Sequence, residues 1–185
     1  AAMAALAAGL TLHPENPTML SLEEINNFTG VKRRQELLIN NKRINLLEDF
    51  AHHPTAIEQT LESLRSRYPD HKITVAFEPR SNTSRSDVFQ QEFTRSLNAA
   101  DQVLIGAVHE GQKLLPDSRL NTTQLAAELN SDNISAQAFS SNLALLETLW
   151  ELTIKAIDQD QVIILFTNGS FDGIIPKLVK RIENM

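Results

Sequence analysis

The residues in this sequence best suited to chemistry are a carboxylate and two imidazoles that lie within a few positions of one another. Asp49, His52 and His53 follow a strand-like run that ends at Glu48, and a helix-like run over 55–68 begins just after them. α/β proteins bind ligands where a strand ends and a helix begins, because free N–H groups there attract anions. The segment therefore predicts a ligand site, although a helix-capping Asp49 beside two solvated imidazoles would explain the same residues.

Two further polar loops follow predicted strands. Residues 78–83 read Glu-Pro-Arg-Ser-Asn-Thr, in which Arg80 offers a planar fork for a carboxylate or phosphate and Glu78 a partner for an ammonium group. Residues 168–173 read Asn-Gly-Ser-Phe-Asp-Gly, and the two glycines permit backbone angles that other residues avoid. A proline turn with solvated charges, or a glycine turn without a ligand, would explain either loop alone. Together they indicate a site if the fold brings them to one edge.

Other groups are weaker indications. Residues 32–34, Lys-Arg-Arg, would meet the phosphates of a nucleotide or simply keep an exposed hinge soluble. The adjacent imidazoles at 52–53 point apart in an extended segment and grip one ion poorly. The pair His-Glu at 109–110 is another set of possible ligands with no evident partner. We therefore expect no metal held by this chain, and no Ser/His/Asp nucleophile elbow is visible.

Composition narrows the class of protein. The 185 residues are 42% hydrophobic, which is enough for one sizeable core with a small appendage. The net charge of −6 and the lack of a basic face argue against nucleic acid as a partner. The sequence has no cysteine, and no apolar run is long enough to cross a bilayer. These features predict a cytoplasmic protein without a membrane partner.

The elements that must position the loops alternate along the chain from residue 30 onward. A hairpin is predicted from 35–39 and 42–48, with its turn at Asn40-Asn41. Buried strands are predicted at 73–77, 102–108 and 162–166, helices at 55–68, 122–129, 143–157 and 174–182, and a further helical stripe at Val88, Phe89, Phe93 and Leu97. This pattern predicts a three-layer, Rossmann-like α/β domain with a mainly parallel sheet, an antiparallel N-terminal hairpin and helices on both faces. All strand-to-helix loops then fall at one edge of the sheet.

Residues 1–29 are set apart from this pattern. They predict two short helices, one over 1–8 and one that begins at Ser21 with Glu24 completing a capping box. Gly30 ends the second helix. These helices have little to pack against each other, so we interpret them as the tail of a preceding domain.

Four motifs, taken in order and spacing, resemble the Mur ligase family and its murein peptide ligase branch in particular. They read Gly-Val-Lys-Arg-Arg-Gln-Glu at 30–36, Asp-Phe-Ala-His-His-Pro-Thr at 49–55, Phe-Glu-Pro-Arg-Ser-Asn-Thr at 77–83 and Asn-Gly-Ser-Phe-Asp-Gly at 168–173. The resemblance implies that residues 30–185 are the C-terminal domain of such a ligase and that 1–29 are the tail helices of its central ATPase domain.

This resemblance implies a cytoplasmic, ATP-dependent amide ligation in peptidoglycan recycling. ATP would phosphorylate the carboxylate of UDP-N-acetylmuramate, and the amine of the tripeptide L-alanyl-γ-D-glutamyl-meso-diaminopimelate would attack the acyl phosphate. The resemblance assigns the nucleotide to Arg34, Asp49, His52 and His53, and the amine substrate to Glu78, Arg80, Asn82, Ser170 and Phe171. Relatives often carry two aspartates where this chain has Glu48-Asp49, so the second acid is kept.

No catalytic residue is assigned within these residues. The family's Gly-Lys-Thr/Ser loop, its magnesium ligands and its UDP-binding domain have no counterpart here, so ATP and Mg²⁺ would be held mainly by the central domain. We expect the 185 residues to be inactive alone. Two alternatives stay open: a non-enzymatic nucleotide-binding or regulatory α/β domain, and a folylpolyglutamate synthase-like C-terminal domain. The latter shares part of the pattern at 49–54 but is disfavoured by the loops at 78–83 and 168–173.

Overall fold

The computed structural model describes residues 11, 31–115, 118–156 and 158–185. The chain divides into two units, Ala1–Val31 and Lys32–Met185. The predicted helices at 1–8 and from Ser21 lie outside the described residues, so their assignment to a preceding domain stays a prediction. All elements named below belong to the second unit.

A six-stranded sheet with helices forms the second unit. The strands are β1 Glu36–Asn40, β2 Ile44–Asp49, β3 Lys72–Phe77, β4 Gln102–Ile105, β5 Ser135–Ala138 and β6 Gln161–Phe166. The helices are α1 Pro54–Arg67, α2 Asn82–Arg85, α3 Gln90–Ser96, α4 Thr122–Ser131, α5 Asn142–Lys155 and α6 Ile174–Glu183. Short 3₁₀ turns cover Asp87–Phe89, Gly111–Lys113 and Phe171–Gly173. No helix among the described residues is long and apolar enough to cross a membrane.

The strand order is β1-β2-β6-β3-β4-β5. β1 pairs antiparallel with β2, and the remaining neighbours pair in parallel. Asp49 lies opposite Phe166, Phe166 opposite Phe77, and Phe77 opposite Ile105. The carboxyl ends of these strands therefore form one row, and the loops after β2, β6 and β3 emerge side by side. The predicted three-layer α/β fold is confirmed.

Each face of the sheet carries its own apolar core. On β6, Val162, Ile164 and Phe166 contribute to the cluster that includes residues of α1, α3 and α4. Ile163 and Leu165 contribute to the cluster that includes residues of α5 and α6. Alternate residues of a strand point to opposite faces, so a continuous apolar run such as β6 is what a sheet covered on both sides requires.

Several predicted details were wrong. β4 ends at Ile105 instead of continuing to residue 108, because the N–H of Ala107 donates to the side chain of Asn142 at 3.0 Å rather than to a strand. Val88 is 70% exposed, since the 3₁₀ turn before α3 rotates it out of the helical stripe. The hairpin turns at 41–43, where Asn41 Oδ1 accepts the N–H groups of Arg43 and Ile44. β5 was missed because its sequence, Ser-Ala-Gln-Ala, has no β-branched or aromatic residue.

Candidate functional site

Asp49 does not cap helix α1. The helix N-cap is His53, without a side-chain capping bond, and Pro54 occupies the first turn, where no N–H is needed. The Asp49 carboxylate is buried and accepts the N–H of Ala51 at 2.7 Å and the N–H of Gln35 at 2.8 Å. Asp49 therefore links the end of β2 to the segment that precedes β1. The sequence did not indicate this link.

The segment before β1 is held mainly by Arg33, the neighbour of the predicted Arg34. Arg33 Nε donates to Glu48 Oε1 at 2.6 Å, and Nη2 donates to the carbonyls of Thr167 and Gly169 at 2.8 and 2.7 Å. Arg34 is exposed and makes none of these bonds. The structural link to the loop after β6 thus uses Arg33, and the guanidinium of Arg34 remains accessible to a ligand.

A cavity of about 390 Å³ brings two of the predicted nucleotide residues together. It is lined by Arg34, Gln35, Asp49, Ala51, Ala56, Gln59 and Thr60. The two imidazoles do not line it. His52 Nδ1 lies 3.0 Å from the carbonyl oxygen of Phe50, and the His53 ring contacts the Phe89 ring at a centroid distance of 4.9 Å. Arg34 and Asp49 are therefore grouped by the fold, whereas His52 and His53 are placed outside this cavity.

Glu78 is completely buried at the end of β3. Its Oε2 accepts a hydrogen bond from the hydroxyl of Thr167, which itself accepts the N–H of Gly169 at 2.9 Å. Its Oε1 has no hydrogen-bond partner, and Arg80 Nη1 lies 3.5 Å away. A buried carboxylate oxygen without a hydrogen-bond donor is costly. Glu78 therefore offers an acceptor position beside Arg80.

The Arg80 side chain is held between three elements. Its Nη1 donates to His109 Nδ1 at 3.2 Å, which requires that Nδ1 be unprotonated because arginine has only donors. The backbone N–H of His109 donates to the carbonyl of Pro79 at 2.9 Å, and this bond positions the residue. The side chain also passes directly over Gly169, where any Cβ would overlap Cδ and Nε of Arg80. The loops after β3, β4 and β6 therefore meet at this guanidinium.

The remaining predicted substrate residues lie around Arg80 in different settings. Asn82 is exposed at the start of α2, and its Oδ1 accepts a bond from Arg85 Nη2 at 2.7 Å. Ser170 is exposed in the loop after β6. Phe171 has no exposed surface and packs in the core beneath α5 and α6. Asn82 and Ser170 are thus exposed, Arg80 is half-buried, and Glu78 and the Phe171 ring lie in the interior.

Sequence reasoning missed Asn142, which connects two of these loops. This buried residue, the first of α5, accepts the N–H of Ala107 with Oδ1 and donates from Nδ2 to Asp172 Oδ2 at 2.8 Å. A Cβ on Gly106 would lie 2.5 Å from the same Oδ1, so Gly106 makes room for the amide. Asn142 follows Ser141, the N-cap of α5, and nothing in that local pattern distinguishes it from an ordinary helix start.

Glu78, His109 and Asp172 form the group of potential metal ligands found among the described residues, with one ligand atom of each within 4.8 Å of the others. The cation next to Glu78 and His109 is the Arg80 guanidinium. A metal ion there would be repelled by the guanidinium or would have to displace it. The geometry favours a group that makes hydrogen bonds with both the acids and the arginine.

Comparison with known proteins identifies the family. A family model described as "Mur ligase, glutamate ligase domain" matches residues 33–169. The chain belongs to the Mur ligase family. The UDP-N-acetylmuramate–L-alanine ligase of Desulfitobacterium hafniense is 37% identical over 125 residues, which are 68% of this chain and 26% of that protein.

Solved structures agree with the fold. The UDP-N-acetylmuramate-alanine ligase of Thermotoga maritima matches with a TM-score of 0.73 at 21% identity, over 99% of this chain and 37% of that one. A murein peptide ligase from Psychrobacter arcticus matches with a TM-score of 0.67 at 26% identity, over 100% of this chain and 36% of that one. The chain spans 26–37% of the length of these curated relatives.

Proposed function

We propose that the chain is the amine-substrate domain of an ATP-dependent peptide ligase. In this proposal, a preceding domain would hold ATP and Mg²⁺, and the γ-phosphoryl group would pass to the carboxylate of UDP-N-acetylmuramate with release of ADP. The amine of L-alanyl-γ-D-glutamyl-meso-diaminopimelate would then attack the acyl phosphate, forming the amide and releasing phosphate. The reaction would serve peptidoglycan recycling in the cytoplasm. Membership of the Mur ligase family supports the reaction type, and the resemblance of the loops at 78–83 and 168–173 to murein peptide ligases supports the substrate.

The observation that carries the proposal is the Arg80 guanidinium beside the buried Glu78 carboxylate. An amino acid centre such as that at the end of diaminopimelate bears one carboxylate and one ammonium group. Arg80 would bind the carboxylate through its planar fork, and Glu78 with Asp172 would accept hydrogen bonds from the ammonium group. Asn82 and Ser170 would contribute shorter polar contacts from the rim, and Phe171 would support the loop from below.

The nucleotide proposal rests on the cavity that Arg34 and Asp49 share. Arg34 would approach the phosphates and Asp49 would face the nucleotide side of the cleft. His52 and His53 keep a proposed role at the rim of this side, with less support because they lie outside the cavity.

A substitution at Arg80 tests the substrate assignment. In the full-length enzyme, Arg80→Lys should raise the tripeptide KM about tenfold, because a single ammonium cannot reproduce a bidentate contact worth about 1.4 kcal/mol or more. KM for ATP should not change. Arg95→Lys, an exposed position on α3, is the matched control. An unchanged tripeptide KM in Arg80→Lys would remove Arg80 from the site.

L-Alanine is a second candidate for the amine substrate. The relative from Desulfitobacterium hafniense, 37% identical over the matched region, is named for ligation of L-alanine. In that case Arg80 would bind the carboxylate of the free amino acid, and a peptide would gain nothing from the surrounding loops. The non-enzymatic and folylpolyglutamate synthase-like alternatives have less support, because the family model and the curated relatives are Mur ligases. Folylpolyglutamate synthases match the fold alone, at 16–20% identity.

A further inference from the structure

A second cavity opens on the same edge of the sheet, beyond the β4 loop. It has a volume of about 690 Å³, and its walls include residues 107–108 and Gly111 of that loop, with Phe139 and Ser140 after β5. The same loop carries His109, whose Nδ1 contacts Arg80. One loop therefore has the Arg80 site and this cavity as its neighbours. We call it the Arg119 cavity after the charged residue in its lining.

Arg119 is presented to this cavity from a fixed backbone. Its strand-like segment forms an isolated bridge with Ser86, and the next residue donates its N–H to the carbonyl of Arg85 at 2.8 Å. The guanidinium lies against Gly111, where a Cβ would be 3.2 Å from Nη1. Within 31–115, 118–156 and 158–185 no hydrogen bond or ion pair of this side chain is found. The cavity thus contains a positive charge that is free to bind an anion.

Among the described residues, the lining of this cavity adds polar groups and no carboxylate. Thr122, Thr123 and Ser140 line the cavity with Leu120 and Phe139, so its walls combine hydroxyl-bearing and apolar residues. The carboxylate of the nearby loop residue Glu110 is bound to Lys113 at 2.6 Å, which lowers the pKa of Glu110. In a chain of net charge −6, this lining is suited to an anionic ligand with several hydrogen-bonding groups.

We propose that the Arg119 cavity binds the acidic, carboxylate-bearing part of an extended peptide acceptor and so selects long acceptors over single amino acids. This rests on the proposed function. The volume of the cavity is within the range of ligand sites and is larger than one amino acid needs. The loop after β4 lines the cavity and also contacts Arg80 through His109. Arg119 pairs with a peptide carboxylate, and the Thr122 and Thr123 hydroxyls donate to the same or a neighbouring group.

The test uses the full-length enzyme with the tripeptide as the probe. Arg119→Gln removes the charge and leaves a shorter polar side chain, and it should raise the tripeptide KM about tenfold with little change in kcat or in KM for ATP. KM for L-alanine, measured as an alternative acceptor, should stay the same because L-alanine has no tail. Arg95→Gln makes the same charge change on an exposed part of α3 and should leave every constant unchanged.

Different results would overturn the cavity proposal and the proposed function. If the wild-type enzyme ligates the tripeptide and Arg119→Gln has the same tripeptide KM, the cavity assignment is overturned and the proposed function stands. If the wild-type enzyme does not ligate the tripeptide at all, the proposed function fails, and the assignment of the cavity to its tail fails with it. A rise in KM for L-alanine equal to that for the tripeptide would also contradict the cavity proposal, since it would show a general loss of acceptor binding.

Discussion

Arg80 has its position because Gly169 has no side chain. The Arg80 stem passes across Gly169, and the guanidinium then reaches Glu78 and His109. We predict that Gly169→Ala displaces the guanidinium and raises the tripeptide KM about as much as Arg80→Ala does. In an Arg80→Ala background the added methyl group should have no further effect, because the clashing atoms are gone. Steady-state KM values for the four members of this double-mutant cycle measure the coupling.

One outcome of that double-mutant cycle would contradict the coupling between Gly169 and Arg80. If Gly169→Ala changes KM by the same factor in both backgrounds, the glycine acts independently of Arg80. The loop after β6 would then contact substrate through its own backbone, and Arg80 would lose its role as the point where three loops meet.

Asp49 has a structural role in the fold and a proposed role in nucleotide binding, and one substitution separates the two. Asp49→Asn leaves one of the N–H groups of Gln35 and Ala51 facing an amide NH₂ instead of an acceptor, which should lower the free energy of unfolding by about 1–3 kcal/mol. If Asp49 also faces the nucleotide, KM for ATP should rise several-fold while KM for the tripeptide stays the same. Loss of stability with an unchanged KM for ATP would leave Asp49 with the structural role alone.

At the scale of elements, Asn142 ties helix α5 to the loops after β4 and β6. We predict that Asn142→Asp lowers the free energy of unfolding by about 1–3 kcal/mol, because a carboxylate would face Asp172 at the place where an amide now donates. Asn98→Asp, an exposed position after α3, introduces the same charge and should be neutral. Urea unfolding of the three proteins gives the comparison, and an equally stable Asn142→Asp would show that the bond to Asp172 contributes nothing.

Elements with a strong local pattern were predictable, and those defined by packing were not. β6 has a continuous apolar run, and β2 and β3 are rich in apolar and β-branched residues, so their ends and the residues that follow them could be located from sequence. This is why Asp49, Glu78 and Arg80 could be named in advance. Strand β5 is short and polar, and it is a strand because it pairs with β4 at the edge of the sheet.

Part of the candidate site depends on contacts that no local pattern encodes. His109 reaches Arg80 across 29 positions of sequence, and Asn142 reaches Asp172 across 30. The residues around His109 and Asn142 give no sequence signal that would pair His109 with Arg80 or Asn142 with Asp172. Only the parallel order of β6, β3 and β4 brings their loops together.

At the scale of the whole molecule, the row of strand ends places the two proposed ligand regions along one edge of the sheet. Arg34 and Asp49 lie beyond β2, and Arg80 and Glu78 lie beyond β3, with the end of β6 between them. The chain carries this edge but spans only 26–37% of the length of these curated relatives. We therefore expect this domain to select the amine substrate, and residues elsewhere in the enzyme to activate the carboxylate.

The specificity of the full-length enzyme for its amine substrate tests the proposed function most directly. With ATP, Mg²⁺ and UDP-N-acetylmuramate saturating, kcat/KM should be at least about a hundredfold higher for L-alanyl-γ-D-glutamyl-meso-diaminopimelate than for L-alanine, because two additional contact regions are each expected to contribute about 1.4 kcal/mol or more. Equal or higher kcat/KM for L-alanine would contradict the account and identify the free amino acid as the substrate.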